Sequence, residues 1–263
     1  MVKPKKHLGQ HFLTDLHLAQ KITQALFDTP PDFLHIVEIG AGTGVLTDFL
    51  LYNPFQLPLT VVEIDTESVH FLEKKYQDLR ANLTICETDF LAFNLSQYFG
   101  NQPLAIIGNF PYNISSPIFF QILEHKQVVK RIVCMLQKEV AERLASPPNS
   151  KEYGILSVFL QAFYKIEYLF SVPSEVFNPA PKVQSGVIRL QRNEVEHLAC
   201  DEAMFRKIVK QGFNNRRKTL RNALKVLQLN ERLERTGLLD KRAEQLSVQD
   251  FVYLTQIAQE NKK

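Results

Sequence analysis

Four consecutive residues, Asn109-Phe110-Pro111-Tyr112, close the apolar run Leu104-Ala105-Ile106-Ile107-Gly108. An Asn side-chain carbonyl and a backbone carbonyl beside Pro111 make two acceptors for the hydrogens of a single amino group. Such a pair suits methylation of an exocyclic amine like that of adenine, whose nitrogen is a poor nucleophile because its lone pair is delocalised into the ring. Bonds to the amine hydrogens strengthen as charge builds on nitrogen during attack, so they act mainly in the transition state. Proline fixes the turn and frees the preceding carbonyl from a helix ladder, while Tyr112 offers a face on which a base can stack. The same residues also make an ordinary strand-to-loop turn, since Asn and Pro are common there. The choice rests on the elements around them.

Upstream, Ile36-Val37-Glu38-Ile39 reads as a buried strand, followed directly by Gly40-Ala41-Gly42-Thr43-Gly44 and an amphipathic helix starting at Val45. Glycines at a strand-to-helix turn let backbone approach a ligand, and the helix start adds oriented N–H donors. The third glycine comes one residue earlier than in the Gly-x-Gly-x-x-Gly dinucleotide fingerprint. A second strand, Leu59 to Val62, ends in Glu63-Ile64-Asp65; a third, near Leu83 to Cys86, leads to Asp89. An acid at the end of the second strand is where an α/β sheet binds ribose hydroxyls. Gly40, Gly42 and Gly44 are expected to wrap a cofactor's amino-acid part and ribose, and Glu63 to bind the ribose. Asp65 shares a side with Glu63 in a support role. Asp89 is expected to accept from an adenine amine, with the Phe90 backbone beside it; a helix N-cap is its plainer role. A nucleoside cofactor on one side and a target amine on the other describe a site for S-adenosylmethionine.

At 263 residues the chain is long enough for one sizeable core and a smaller domain. Its 45% hydrophobic and 22% charged content is that of a soluble globular protein. No apolar stretch is long enough to span a bilayer, and the basic start Met1 to Lys6 lacks the apolar segment of a secretory signal. Cys86, Cys134 and Cys200 are odd in number and widely spaced, which suggests neither a disulfide framework nor a zinc site. A cytoplasmic location, no metal and no membrane are the expectation. The net charge of +3 is small, but Arg206, Lys207, Lys210, Arg216, Arg217, Lys218, Arg221 and Lys225 fall in one tract without an acid. Such a tract reads either as a solvated helix face or as a phosphate-binding face.

The pattern along the chain predicts a helix over Thr14 to Phe27 with Thr14 or Asp15 as N-cap, then alternating strands and helices to about residue 145. After the break Ser146-Pro147-Pro148-Asn149-Ser150, a helix over Gly154 to Phe163 and strands over Ile166 to Val172 and Val187 to Leu190 close the sheet antiparallel. From Asp201 to about Gln259 the segments are charged and helical in period. Fold and division follow: an α/β domain of the Rossmann-like, S-adenosylmethionine-binding type over residues 1–195, and a small all-helical domain over 196–263.

Further matching stretches are Gly9-Gln10-His11-Phe12-Leu13, Met135 to Leu144, Phe177-Asn178-Pro179-Ala180-Pro181-Lys182-Val183-Gln184-Ser185 and Asn215-Arg216-Arg217-Lys218-Thr219-Leu220-Arg221. With the elements above, and in the same order from Lys5 to roughly Leu254, they resemble the ribosomal RNA adenine dimethyltransferase family linked to kasugamycin sensitivity. The resemblance implies a seven-stranded methyltransferase fold and dimethylation of two adjacent adenosines in the 3′-terminal hairpin of 16S ribosomal RNA. The small ribosomal subunit is the partner it implies, and a monomer is the expectation for the protein itself. Residues 9–13 would fold over the cofactor, with His11 where the family usually has Asn; His11 would donate to the cofactor carboxylate, and Leu13 would add a backbone contact. Phe177 would be the second stacking aromatic, sandwiching a flipped adenine with Tyr112; a core role is its alternative. Lys182 would contact phosphate.

Three other functions compete. The related large-subunit adenine methyltransferases that confer macrolide resistance share the glycine loop and the Asn-x-Pro-Tyr element, but Asn215 to Arg221 within a longer helical tail argues against them. A DNA methyltransferase would need a target-recognition region that is not evident. A non-catalytic ribosome-assembly factor on the same fold would be expected to have lost Glu63, Asp89 or Asn109, and all three are intact.

Overall fold

The chain is described from a computed structural model over residues 2–79, 81–225 and 236–259. Residues 226–235, part of the helical tract expected beyond Asp201, lie outside the described residues.

Seven strands build one sheet: β2 (His35–Ile39), β3 (Leu59–Glu63), β4 (Leu83–Glu87), β5 (Leu104–Asn109), β6 (Val129–Gln137), β7 (Tyr164–Val172) and β9 (Ser185–Arg192). Their order is β4-β3-β2-β5-β6-β9-β7. The first five run parallel, and β9 pairs antiparallel with β6 as the sequence pattern implies. Strands covered on both faces need apolar residues at successive positions, and Leu104 to Ile107 are all fully buried. From β2 the chain passes to β3 on one side, and later to β5 on the other. Ligands of open α/β sheets bind outside the carboxyl ends of the strands at such a reversal.

Helix α1 (Leu16–Gln24) starts on Asp15, whose carboxylate accepts from Leu18 N–H at 2.9 Å. It is shorter than the Thr14–Phe27 expectation. Thr14 is drawn out of the helix because its N–H and hydroxyl both donate to the Val176 carbonyl, at 2.8 and 2.9 Å. That bond extends a small antiparallel pair, β1 (Phe12–Leu13) with β8 (Phe177–Asn178), in which Leu13 faces Phe177.

The chain divides into two compact units: Met1–Ala141 with Ile166–Arg192, and Glu142–Lys165 with Asn193–Lys263. The first carries the cleft described below. The second gathers α7 (Ile155–Gln161), α8 (Glu202–Asn214), α9 (Leu220–Ala223) and the helix Val248–Gln259 around buried Phe205, Ile208, Leu220 and Phe251. Segment 142–165 thus lies with the C-terminal helices, on the other side of the division from its place in the sequence reading. The reason is packing: Tyr153 and Phe159 set their rings against Phe213 and Phe205, and Asn149 N–H donates to the Glu244 carbonyl at 2.7 Å. No helix among the described residues is long and apolar enough to cross a membrane.

Candidate active site

At the carboxyl ends of β2 to β5 the first unit opens a cavity of about 230 Å³. The loop after β2, the acid ending β3, the residues after β4 and the Asn109 element after β5 all line it. Of the residues singled out in the sequence, His11, Leu13, Gly40, Gly42, Glu63, Asp89, Phe90, Asn109, Pro111 and Tyr112 contribute to the wall, whereas Gly44 and Phe177 do not.

The glycines divide by task. All three have positive φ, at 68°, 57° and 78°. At Gly42 a Cβ would sit 2.7 Å from the Phe12 ring, so its bareness lets the N-terminal segment close onto the loop. At Gly44 a Cβ would meet the Tyr76 hydroxyl at 2.5 Å and Leu72 at 2.8 Å, so this glycine serves the seat of α3 (Thr66–Lys75) beneath the loop. Tyr76 fills that space and donates to Asp48 at 2.7 Å.

Each acid has a distinct setting. Glu63 is buried and accepts from two backbone donors, Gly42 N–H at 2.9 Å and Asp65 N–H at 3.0 Å. Burial raises its pKa, and those two bonds oppose the rise. Each carboxylate oxygen keeps a further lone pair for a ligand hydroxyl. Asp89 spends one oxygen on Leu91 N–H at 2.9 Å, capping a short 3₁₀ turn, Phe90–Ala92, while still lining the cavity. Its plainer role as a cap is therefore real, and the second oxygen remains available. Asp65 starts α3 and does not line the cavity. Burial raises its pKa, but bonds from Lys5, Gln10 (3.1 Å), Ser68 (3.0 Å) and Glu67 N–H outweigh it and leave the carboxyl below the usual range.

Glu38 is a further acid of the cleft that the motifs do not mark. It is only 1% exposed, lines the cavity and accepts from the Thr47 hydroxyl at 2.6 Å. Burial pushes its pKa up to about 8, with the Thr47 bond opposing and the Glu63 charge adding. An acid among buried strand residues directly before a glycine loop was the available signal. Ile64, half exposed between Glu63 and Asp65, is also on the wall and carries no motif signal of its own.

On the opposite side, the Asn109 Nδ2 donates to the His11 carbonyl at 2.8 Å. The Pro111 carbonyl accepts from Ile114 N–H at 3.2 Å, and that of Phe110 accepts no backbone bond among the described residues. Tyr112 is anchored by Ser185 at 2.6 Å between hydroxyl oxygens, and the His11 ring lies over it at 5.6 Å and 24°. The nearby Phe177 is 4% exposed and belongs to the core with Leu13; Lys182 is exposed.

Sheet order and cleft define the class as a Rossmann-like methyltransferase. A profile of the family "Ribosomal RNA adenine dimethylase" matches residues 1–260, and the chain belongs to that family of ribosomal RNA adenine dimethyltransferases. It is similar to the "Ribosomal RNA small subunit methyltransferase A" of Bacteroides fragilis, at 53% identity over 97% of this chain and 92% of the relative. Among solved structures it resembles a dimethyladenosine transferase from Plasmodium falciparum, with TM-score 0.81 and 27% identity over 96% of this chain and 98% of that one. It also resembles the 23S rRNA methyltransferase ErmE, with TM-score 0.70 and 24% identity over 93% and 99% of the two chains. The second likeness is one of fold.

Proposed function

We propose that the enzyme uses S-adenosylmethionine to methylate N6 of two adjacent adenosines in the 3′-terminal hairpin of small-subunit (16S) ribosomal RNA, giving dimethyladenosine in the cytoplasm during small-subunit biogenesis. The observation that carries this reading is the setting of Asn109. With Nδ2 committed to a carbonyl, Oδ1 is free to accept, and the Phe110 carbonyl is a second acceptor one residue on.

The cleft suits the cofactor chemically. A buried acid, Glu38, calls for a cation such as the methionine ammonium; Glu63 suits ribose hydroxyls, and Asp89 with the Phe90 backbone suits an adenine amine. Gly40 leaves the loop open to the ligand, Gly42 lets Phe12 close against it, and the Leu13 backbone closes the other side. The cofactor supplies an electrophilic sulfonium methyl. The chain's residues would supply positioning and charge stabilisation: Tyr112 would stack the unstacked base, and Asn109 Oδ1 with the Phe110 carbonyl would hold the amine hydrogens as the nitrogen bonds the methyl carbon and the carbon–sulfur bond breaks, its electron pair leaving with sulfur as a neutral thioether. The proton leaves to water. For the second transfer one N–H remains, so one acceptor is released. The exposed lysines and arginines of the second unit hold RNA phosphates, and the protein works as a monomer.

The test is incubation with radiolabelled cofactor and unmethylated small subunits, large subunits or naked DNA, followed by nucleoside analysis. Label as N6,N6-dimethyladenosine from small subunits alone is expected; label in the large subunit sinks the substrate assignment. Asn109→Ala should lower the rate on the order of a hundredfold or more with small-subunit binding retained, and lost binding in a folded variant would remove the role given to Asn109.

A further inference from the structure

His11 is joined to the methyl-transfer side of the cleft at three points. Its carbonyl takes the Asn109 Nδ2 at 2.8 Å, its ring lies over Tyr112, and its Nδ1 stands 2.7 Å from the Pro179 carbonyl. We propose that the His11 side chain is a positioning residue for the target base, its ring acting through Tyr112 while its backbone carbonyl takes Asn109. The inference rests on the adenine-methylating reading above.

The chemistry of the three partners fixes the arrangement. A backbone carbonyl only accepts, so the amide of Asn109 must turn Nδ2 toward His11, which leaves Oδ1 for the amine. Pro179 likewise offers only a carbonyl, so Nδ1 of His11 carries a proton. With the imidazole over one face of Tyr112 and Ser185 holding the hydroxyl, the phenol ring is gripped on two sides, and a base stacks on the face that remains. The backbone of residue 11 is held in turn by the adjoining β1–β8 pair, Phe12 opposite Asn178 and Leu13 opposite Phe177. Gly9 adds a close approach, since a Cβ there would stand 2.8 Å from Asn113 Oδ1, the residue after Tyr112.

The experiment compares wild type with His11→Ala, His11→Phe and His11→Asn. Affinity for S-adenosylmethionine is measured by calorimetry on the enzyme alone, and single-turnover methylation is measured on unmethylated small subunits at saturating cofactor. His11→Ala should bind cofactor within about twofold of wild type yet methylate about tenfold more slowly, the scale of a misplaced reacting group. His11→Phe, which keeps the ring over Tyr112, should recover most of that rate, and His11→Asn, which has no ring, should not. Retained cofactor affinity also certifies that each variant is folded. Lost cofactor affinity with full rate at saturation overturns the proposal, as does a full rate in His11→Ala. A wild type that leaves small subunits unlabelled would instead overturn the adenine-methylating reading.

Discussion

Glu38 is a carboxyl group with almost no contact with water, and such a group costs stability once ionised unless a cation answers it. Its folded-state pKa is raised to about 8 from 4.5, so folding takes up a proton in that window. The stability this gives is complete below about pH 4.5 and is lost as pH rises through about 8. Glu38→Gln keeps the acceptor for Thr47 and removes the charge. Thermal or urea unfolding should find it more stable than wild type by roughly 1–3 kcal/mol at pH 8, with the gap closing toward pH 5; a pH-independent gap would contradict the buried-charge account. Binding a cationic cofactor beside Glu38 should release protons near pH 7, which calorimetry in buffers of different ionisation enthalpy detects. Most acids and amides of the cleft were legible in sequence because Glu63, Asp89 and Asn109 stand at or just past strand ends, where a parallel sheet presents its ligands. Glu38 was not, because its strand looked like core, and the adjacent glycines drew the functional reading to themselves. Phe177 shows the reverse: its motif was visible, but only tertiary pairing with Leu13 reveals that its ring is in the core.

The elements around the cleft are held by local contacts with separable costs. Gly40 has positive φ and open space where a Cβ would go, whereas Gly44 combines positive φ with a clash at Tyr76. Gly40→Ala should therefore cost about 1 kcal/mol from backbone strain alone, and Gly44→Ala about 3 kcal/mol, a ranking that equilibrium urea unfolding checks. The N-terminal segment is secured at its other end by Asp65, which takes Lys5 and Gln10. Lys5→Met leaves Asp65 as the cap of α3 but loosens the segment. Amide exchange over residues 5–13 should accelerate, and cofactor affinity should fall severalfold with the melting midpoint little changed; unchanged exchange would dismiss the latch. The short buried strands ahead of the glycine loop, Glu63 and Asn109 were readable from sequence, and Asp15 was one of the two caps it offered for α1. The two-residue strands β1 and β8 were not, since two residues carry no period and their pairing spans most of the first unit's length.

At the scale of the molecule, the basic tract of the second unit is not uniform. Arg216 turns to the carbonyls of Lys151 and Tyr153, and Arg221 pairs with Asp240 at 3.0 Å. Lys207, Lys210, Arg217, Lys218 and Lys225 are exposed. Replacing Lys210 and Lys218 with Gln should weaken small-subunit binding and reduce the slope of log affinity against log salt by about 2, with cofactor affinity unchanged; an unaltered slope would return the tract to a plain solvated surface. Charge bias was legible in the sequence, but which cations are spent on internal partners depends on packing that no periodicity encodes. The sheet order has a further consequence, for the birth of the chain. Strand β9 lies between β6 and β7, so the sheet stays incomplete until residue 192 has been synthesised. Segment 142–165, made earlier, must wait for helices beyond residue 193 before Tyr153 and Phe159 find cover. A nascent chain arrested before α8 therefore carries bare aromatic surface, and cutting the gene at residue 192 would not free a clean catalytic half but a sticky one.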